Sequence, residues 1–157
     1  MMLPNSLKTF FSNPIILSSL ISWFISQFIK GLVALSQIRT KSIKEVLETL
    51  LWRTGGMPSS HAAVVTSMTT AVALKSGVYS DLFAVSLLMA FVVMRDAMGA
   101  RRAVGLQASA LNLLGRHSAD KDGIEFHPLK EIRGHAPLEV IVGAFLGIFV
   151  SIVYNLL

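Results

Sequence analysis

Two histidines in this sequence stand where phosphoryl chemistry would need them. The first, His61, closes the stretch GGMPSSH that begins at Gly55. Gly55 and Gly56 permit backbone shapes closed to other residues. Pro58 suits a first helical turn, and Ser59 or Ser60 can cap exposed amides. The resulting helix start presents free N–H groups and the positive end of the helix dipole, which together make an anion site. His61 then stands near any bound phosphate. A plain helix cap, with the histidine bonded to a neighbour, accounts for the stretch equally well.

The second histidine, His135, lies in RGHAPLEV with Glu139 four residues on. At that spacing the two share one helical face. A carboxylate bonded to one imidazole nitrogen fixes the tautomer and raises the basicity of the other nitrogen. That suits a histidine nucleophile, although an isolated H-x-x-x-E is more commonly an ordinary helix-surface pair. A third cluster, RDAMGARR from Arg95 to Arg102, offers Arg101 and Arg102 as forks onto phosphate oxygens. Flanking charge explains at least one of the two. Asp96 either orients an arginine or is a helix-end charge. Lys30 is the only charge in its apolar run. It reads as a phosphate ligand or as a side chain snorkelling to the interface.

Apolar elements must position these groups. Of the 157 residues, 53% are hydrophobic and 15% charged, and the mean hydropathy is +0.63. A soluble domain carries about a quarter charged residues, so the bilayer is the expected solvent. There is no cysteine, which excludes disulfides, a thiol nucleophile and thiolate metal sites. The net charge of +5 does not come with solvated aromatics, so the expected partner is anionic lipid rather than nucleic acid. The length suits a single domain over residues 1–157.

Four apolar segments are long enough to be spans or nearly so. Pro14 to Gln37 can cross a ~30 Å hydrocarbon core at ~1.5 Å per residue. As a signal peptide it would be too long, and it lacks a small-x-small exit, so a retained span is expected. The second runs from Pro58 to about Ser76, the third from about Asp81 to Met98, and the fourth from about Gly134 to Leu157. The second and third, joined by KSGVYSD, read as a helical hairpin. Ala62, Ala63, Ser67, Ala71 and Ala73 in the second would let backbones approach closely in lipid, and Gly143 with Gly147 gives the fourth a G-x-x-x-G. Ala103 to Leu114 reads as a shorter interfacial helix, and Gly115 to His127 as polar loop. The expected fold is all-α, a polytopic bundle of about four transmembrane helices plus that interfacial helix.

Four crossings put both termini on one side. Of 14 Lys and Arg, only Lys8 and Lys75 then fall on the terminal side. The positive-inside rule places the opposite face, with Ile38 to Met57 and Gly99 to Arg133, in the cytoplasm. Lys30, Arg53, His61, Asp96, Arg101, Arg102, Arg133, His135 and Glu139 all fall near that face. Ionisable groups at span ends are costly unless paired or used.

These pieces, in this order, resemble the type 2 phosphatidic acid phosphatase superfamily, and more closely its small divergent membrane branch. The matching stretches are GGMPSSH from Gly55, DAMGARR from Asp96, GLQASALN from Gly105 and KEIRGHAPLEV from Lys130. The resemblance covers roughly Gln27 to the C-terminus. Pro58, Ser59, Ser60 and His61 match the superfamily's P-S-G-H with serine in place of glycine. His135 and Glu139 match its H-x3-D with glutamate in place of aspartate. Gln37 and Leu129 stand where the first and last motifs carry arginine. The resemblance therefore implies that Arg53, and one of Arg101, Arg102 and Arg133, supply those charges, with Asp96 and Arg133 in support.

The resemblance implies hydrolysis of a lipid phosphomonoester such as phosphatidate, phosphatidylglycerol phosphate or an isoprenoid phosphate, with no metal or other cofactor. His135 would attack phosphorus, Glu139 would stabilise the imidazolium, and His61 would protonate the leaving alcohol. Lys30, Arg53, Arg101 or Arg102, and amides near Ser59 and Ser60, would hold the phosphate. A homo-oligomer is compatible with this reading. The missing arginines favour an alternative, a non-catalytic protein that binds or transports lipid phosphates with the pocket retained.

Overall fold

The computed structural model describes residues 9–36, 56–123, 125–131 and 134–157. Among them the regular elements are helical: α1 (Pro14–Ser36), α2 (Ser60–Ser76), α3 (Asp81–Met98), α4 (Ala100–Asp122) and α5 (Pro137–Leu156). Three helical stretches are long and apolar enough to cross a membrane: α1, α3 with its continuation into α4, and α5.

The predicted second span, α2, has 17 residues. At ~1.5 Å per residue it covers about 25 Å, short of a full ~30 Å core. It runs through the centre of the bundle, packed against α1, α3 and α5. Its small residues are the reason. Ala62, Ala63, Ser67 and Ala71 are wholly enclosed, so neighbouring backbones come close. A Cβ on Gly147 of α5 would collide with the carbonyl oxygen of Ala63, and one on Gly143 with that of Ser59. The G-x-x-x-G of α5 is thus the face that rides on α2. Thr66 Oγ1 bridges the same seam, donating to the Ala144 carbonyl at 3.0 Å. On the other side of α2, Thr69 Oγ1 lies 3.1 Å from the Ser86 carbonyl of α3. In α1, Ser18, Ser22 and Ser26 recur every four residues and are fully buried, so they form one close-packing face.

The hairpin between α2 and α3 turns through Gly77–Ser80, and Ser80 caps α3 by accepting from the Phe83 N–H. The interfacial helix is longer than expected. α4 runs 23 residues to Asp122 and ends at Gly123, whose φ of +65° forms a left-handed cap. The predicted break at Gly115 does not occur, because that glycine makes room for a ring. A Cβ there would overlap Phe126 of the following segment. Among the described helices, α4 touches only α3. It leaves Leu106, Leu113 and Leu114 exposed.

Candidate active site

At one end of the bundle five elements converge. Lys30 comes from the last turns of α1, Ser59 and His61 from the start of α2, Ala97 from the end of α3, Arg102 from the start of α4, and His135 and Glu139 from the start of α5. The start of α2 differs in detail from the sequence reading. Ser59 is the N-cap, with its hydroxyl accepting from the Ala62 N–H at 3.4 Å. Pro58 therefore precedes the cap instead of opening the helix. The Ser59 N–H donates to the Glu139 carbonyl at 2.9 Å. Ser59 is fully buried, and it joins the starts of α2 and α5 through their main chains. Ser60 occupies the first helical position, where an α-helix has no intrahelical partner for the N–H.

His135 and Glu139 are paired, but not along a helix face. His135 sits two residues ahead of Pro137, the first residue of α5. Its Nδ1 lies 2.9 Å from Glu139 Oε2. The same oxygen accepts the Ala136 N–H at 3.2 Å. Glu139 thus works as the third residue of a helix N-terminus, reaching back over the entering chain as in a capping box. A carboxylate accepts, so the pair puts the imidazole proton on Nδ1 and leaves the Nε2 lone pair available. The His135 main chain is pinned as well, its N–H donating to the Ala97 carbonyl at 3.0 Å. With 3% of its surface exposed, His135 is held through both its side chain and its main chain.

The His61 ring stands 6.0 Å from the His135 ring, centroid to centroid, with planes inclined at 65°. Sequence positions 74 residues apart are therefore brought into ring contact. Lys30 is 5% exposed. Its aliphatic stem passes over Gly56, which has a φ of +90°, and its ammonium is within electrostatic reach of Glu139. A buried ammonium within electrostatic reach of a carboxylate is a setting that marks function in a membrane protein, because an idle charge there would be costly.

The remaining expected residues divide. Gly134 abuts the Arg102 backbone so closely that any Cβ would overlap it. This places the start of α4 next to His135, and Arg102 itself is exposed. Asp96 is exposed at the end of α3. Arg101 belongs to α4 by its backbone, while its side chain, with Arg53 and Arg133, lies outside the described residues. Leu129, at the position of the last-motif arginine, presents its backbone to Asn112.

Two contributors were not legible as site residues. The Ala97 carbonyl holds His135 through main chain alone and carries no residue-type signal. Asn112 of α4 is 4% exposed. Its Nδ2 donates to the Leu129 carbonyl and to Glu131 Oε1, both at 2.9 Å, and its Oδ1 accepts the Leu129 N–H at 2.7 Å. It clamps the segment leading to His135. An asparagine within the apolar run LQASALNLL is the signal that could have found it, since buried polar groups need partners.

The profile of the "Divergent PAP2 family" matches residues 11–150. The chain belongs to that family. Among divergent PAP2 proteins it is similar to the "Uncharacterized membrane protein YuiD" of Bacillus subtilis (strain 168). The two are 39% identical over 151 residues, covering 88% of this chain and 91% of the relative. No solved structure matches. This divergent PAP2 protein is an integral membrane protein with a helical bundle.

Proposed function

We propose that the protein hydrolyses a lipid phosphomonoester through a phosphohistidine, and the observation that carries this reading is the 6.0 Å separation of the His61 and His135 rings. Two imidazoles at that distance can flank one phosphorus atom. His135 Nε2 attacks phosphorus, forming an N–P bond as the P–O bond to the lipid alcohol breaks. His61, protonated, gives its proton to the departing oxygen. Glu139, on Nδ1 at 2.9 Å, balances the charge that develops on the imidazole. In the second half, water attacks the phosphohistidine, His61 takes its proton, and inorganic phosphate leaves with His135 restored. Acid–base assistance of this kind contributes on the order of 10²–10⁴-fold. Lys30, Arg102 and the amide at Ser60 supply positive charge where the phosphoryl oxygens would sit, and such fixed charge contributes comparably or more. Arg53, Arg101 and Arg133 complete the proposed cation set.

The charge asymmetry of the sequence supports a cytoplasmic placement of this end of the bundle, with both termini opposite. A reporter fused after Leu157 that proved cytoplasmic would overturn that orientation.

One observation favours a second reading. Leu129 offers no charge at the position of the last-motif arginine, so the pocket could hold a lipid phosphate without turning it over. Phosphate release separates the two. Purified protein in detergent is expected to release phosphate from phosphatidate, phosphatidylglycerol phosphate or an isoprenoid phosphate, and His135→Ala to abolish release with folding intact. Saturable binding of these lipids with no release by the wild type would establish the binding protein instead.

A further inference from the structure

Three helices of the bundle each bury a serine hydroxyl that lacks a partner. Ser22 on α1, Ser67 on α2 and Ser151 on α5 are wholly enclosed. None of the three oxygens lies within hydrogen-bonding reach of another group among the described residues. Inside a bilayer no solvent reaches them from the side, and a polar group left unmet there is costly.

The helix register brings the three to one level. Gly143 of α5 meets the carbonyl of Ser59, and Gly147 meets that of Ala63. α2 and α5 therefore run side by side in the same direction, four residues of one matching four of the other. The next step pairs Ser67 with Ser151. α1 approaches the site from the opposite direction. Its buried face carries Ser18, Ser22, Ser26 and Lys30, and the Lys30 stem lies over Gly56. Eight residues back from Lys30 stands Ser22, and eight residues on from Ser59 stands Ser67. Each interval is about 12 Å at ~1.5 Å per residue. α1 packs on both α2 and α5. The three hydroxyls thus surround one region of the core, about 12 Å from the histidine end at that rise.

The surroundings select the occupant. Residues 14–29, 60–74 and 140–157 contain no Asp, Glu, Lys or Arg. A cation at this level would have no carboxylate to balance it, and an anion no cation nearer than Lys30. A hydroxyl both donates and accepts, so the match is a small neutral molecule that does the same. A buried water makes about three hydrogen bonds to groups otherwise unsatisfied, and three such groups are present.

We infer that Ser22, Ser67 and Ser151 together hold one ordered water molecule, and that this water is the polar tie between α1 and the α2–α5 pair. The described hydroxyl bonds of α1 stay within that helix, as for Ser19 and Ser26. α2, by contrast, is joined directly to α5 through Thr66 and to α3 through Thr69. The helix that delivers Lys30 is thus anchored two turns below it. The tie is the same whether the pocket hydrolyses a lipid phosphate or only binds one.

The direct test is a crystal or cryo-EM map of the wild type at a resolution that shows waters. A peak is expected about 2.7–3.0 Å from all three Oγ atoms. An empty space, or hydroxyls turned onto carbonyls of their own helices, would overturn the inference. Thermal unfolding in detergent reads it a second way, through a sign. Deleting a hydroxyl that truly lacks a partner removes a cost and raises the midpoint. Deleting one that holds the water lowers it. Ser22→Ala, Ser67→Ala and Ser151→Ala are each expected to lower the midpoint by about 2–4 °C, with helix content unchanged. Ser22→Ala and Ser151→Ala combined should lose less than the sum of the two, because both act on one water. Midpoints that rise, or losses that simply add, would count against a shared water and overturn the proposal.

Discussion

The rings of His61 and His135 meet edge-on at 6.0 Å, with planes inclined at 65°, from the starts of two different helices. Neither ring could adopt this relation by local sequence alone. It follows from the seam between α2 and α5, in which Ser59 donates to Glu139 and Gly143 admits the Ser59 carbonyl.

If His61 is the acid, its removal should matter most where the departing alcohol most needs a proton. His61→Ala is expected to lower phosphate release from phosphatidate by ~10²–10⁴-fold. With p-nitrophenyl phosphate, whose leaving group departs without protonation, the loss should be much smaller. Equal losses on both substrates, measured as kcat, would remove His61 from the acid role.

Glu139→Gln keeps the shape of the helix N-terminus and removes its charge. One amide oxygen can still accept from His135 Nδ1 or from the Ala136 N–H. Folding should survive, as read by circular dichroism in detergent. The kcat is expected to fall on the order of 10²–10⁴-fold, as for other carboxylates that back a catalytic imidazole, with KM little changed. A variant with wild-type kcat would show that the pair is only structural.

These two side chains illustrate what the sequence disclosed. The pairing of His135 with Glu139 was legible from residue type and spacing. Its form was not, because the spacing suggested a helix face and Pro137 starts the helix only after His135. The limits of α3 were legible because an apolar run fills most of Asp81–Met98 and polar sequence flanks it. The extent of α4 was not, since Gly115 looks like a break until Phe126 is seen to fill the space a side chain would need. Lys30 stood out as the only charge in its run, but its burial was not legible, because a snorkelling side chain would read the same way. The Ala97 and Ser59 main-chain bonds were invisible, because a carbonyl or an N–H has the same chemistry at every residue.

The seam itself makes a stability prediction. Gly147 lies against the Ala63 carbonyl and Thr66 Oγ1, with backbone on the far side that cannot step away. Gly147→Val is expected to destabilise the bundle by about 1–3 kcal/mol, the usual range for overpacking. Phe149→Ala, at an exposed position two residues on, should be near neutral. Thermal unfolding in detergent compares the two, and equal midpoints would mean that the seam yields more easily than its geometry indicates.

Asn112 gives a rank order. Asn112→Ala strips the Leu129 N–H and carbonyl of their partner, an unpairing that costs about 1–3 kcal/mol. Local opening at Leu129 should then rise by about 10–100-fold at 1.4 kcal/mol per tenfold, read as faster amide exchange over residues 125–131. Asn112→Asp should be at least as damaging, because it loses the donor and sets a carboxylate against Glu131. Adding Glu131→Gln should recover part of that loss. Exchange rates insensitive to all three changes would exclude the clamp.

The bond from Ser59 to Glu139 joins two main chains. The spacing of the imidazoles is therefore pegged by peptide groups, which every residue possesses, rather than by a side-chain pair that substitution could erase. A pocket built on such a peg can exchange aspartate for glutamate, or glycine for serine, around its rim while the span between its two rings stays put. The peg also fixes which walls travel together. α2 and α5 must move as one body, and the end of α3, whose Ala97 carbonyl holds the His135 N–H, moves with them.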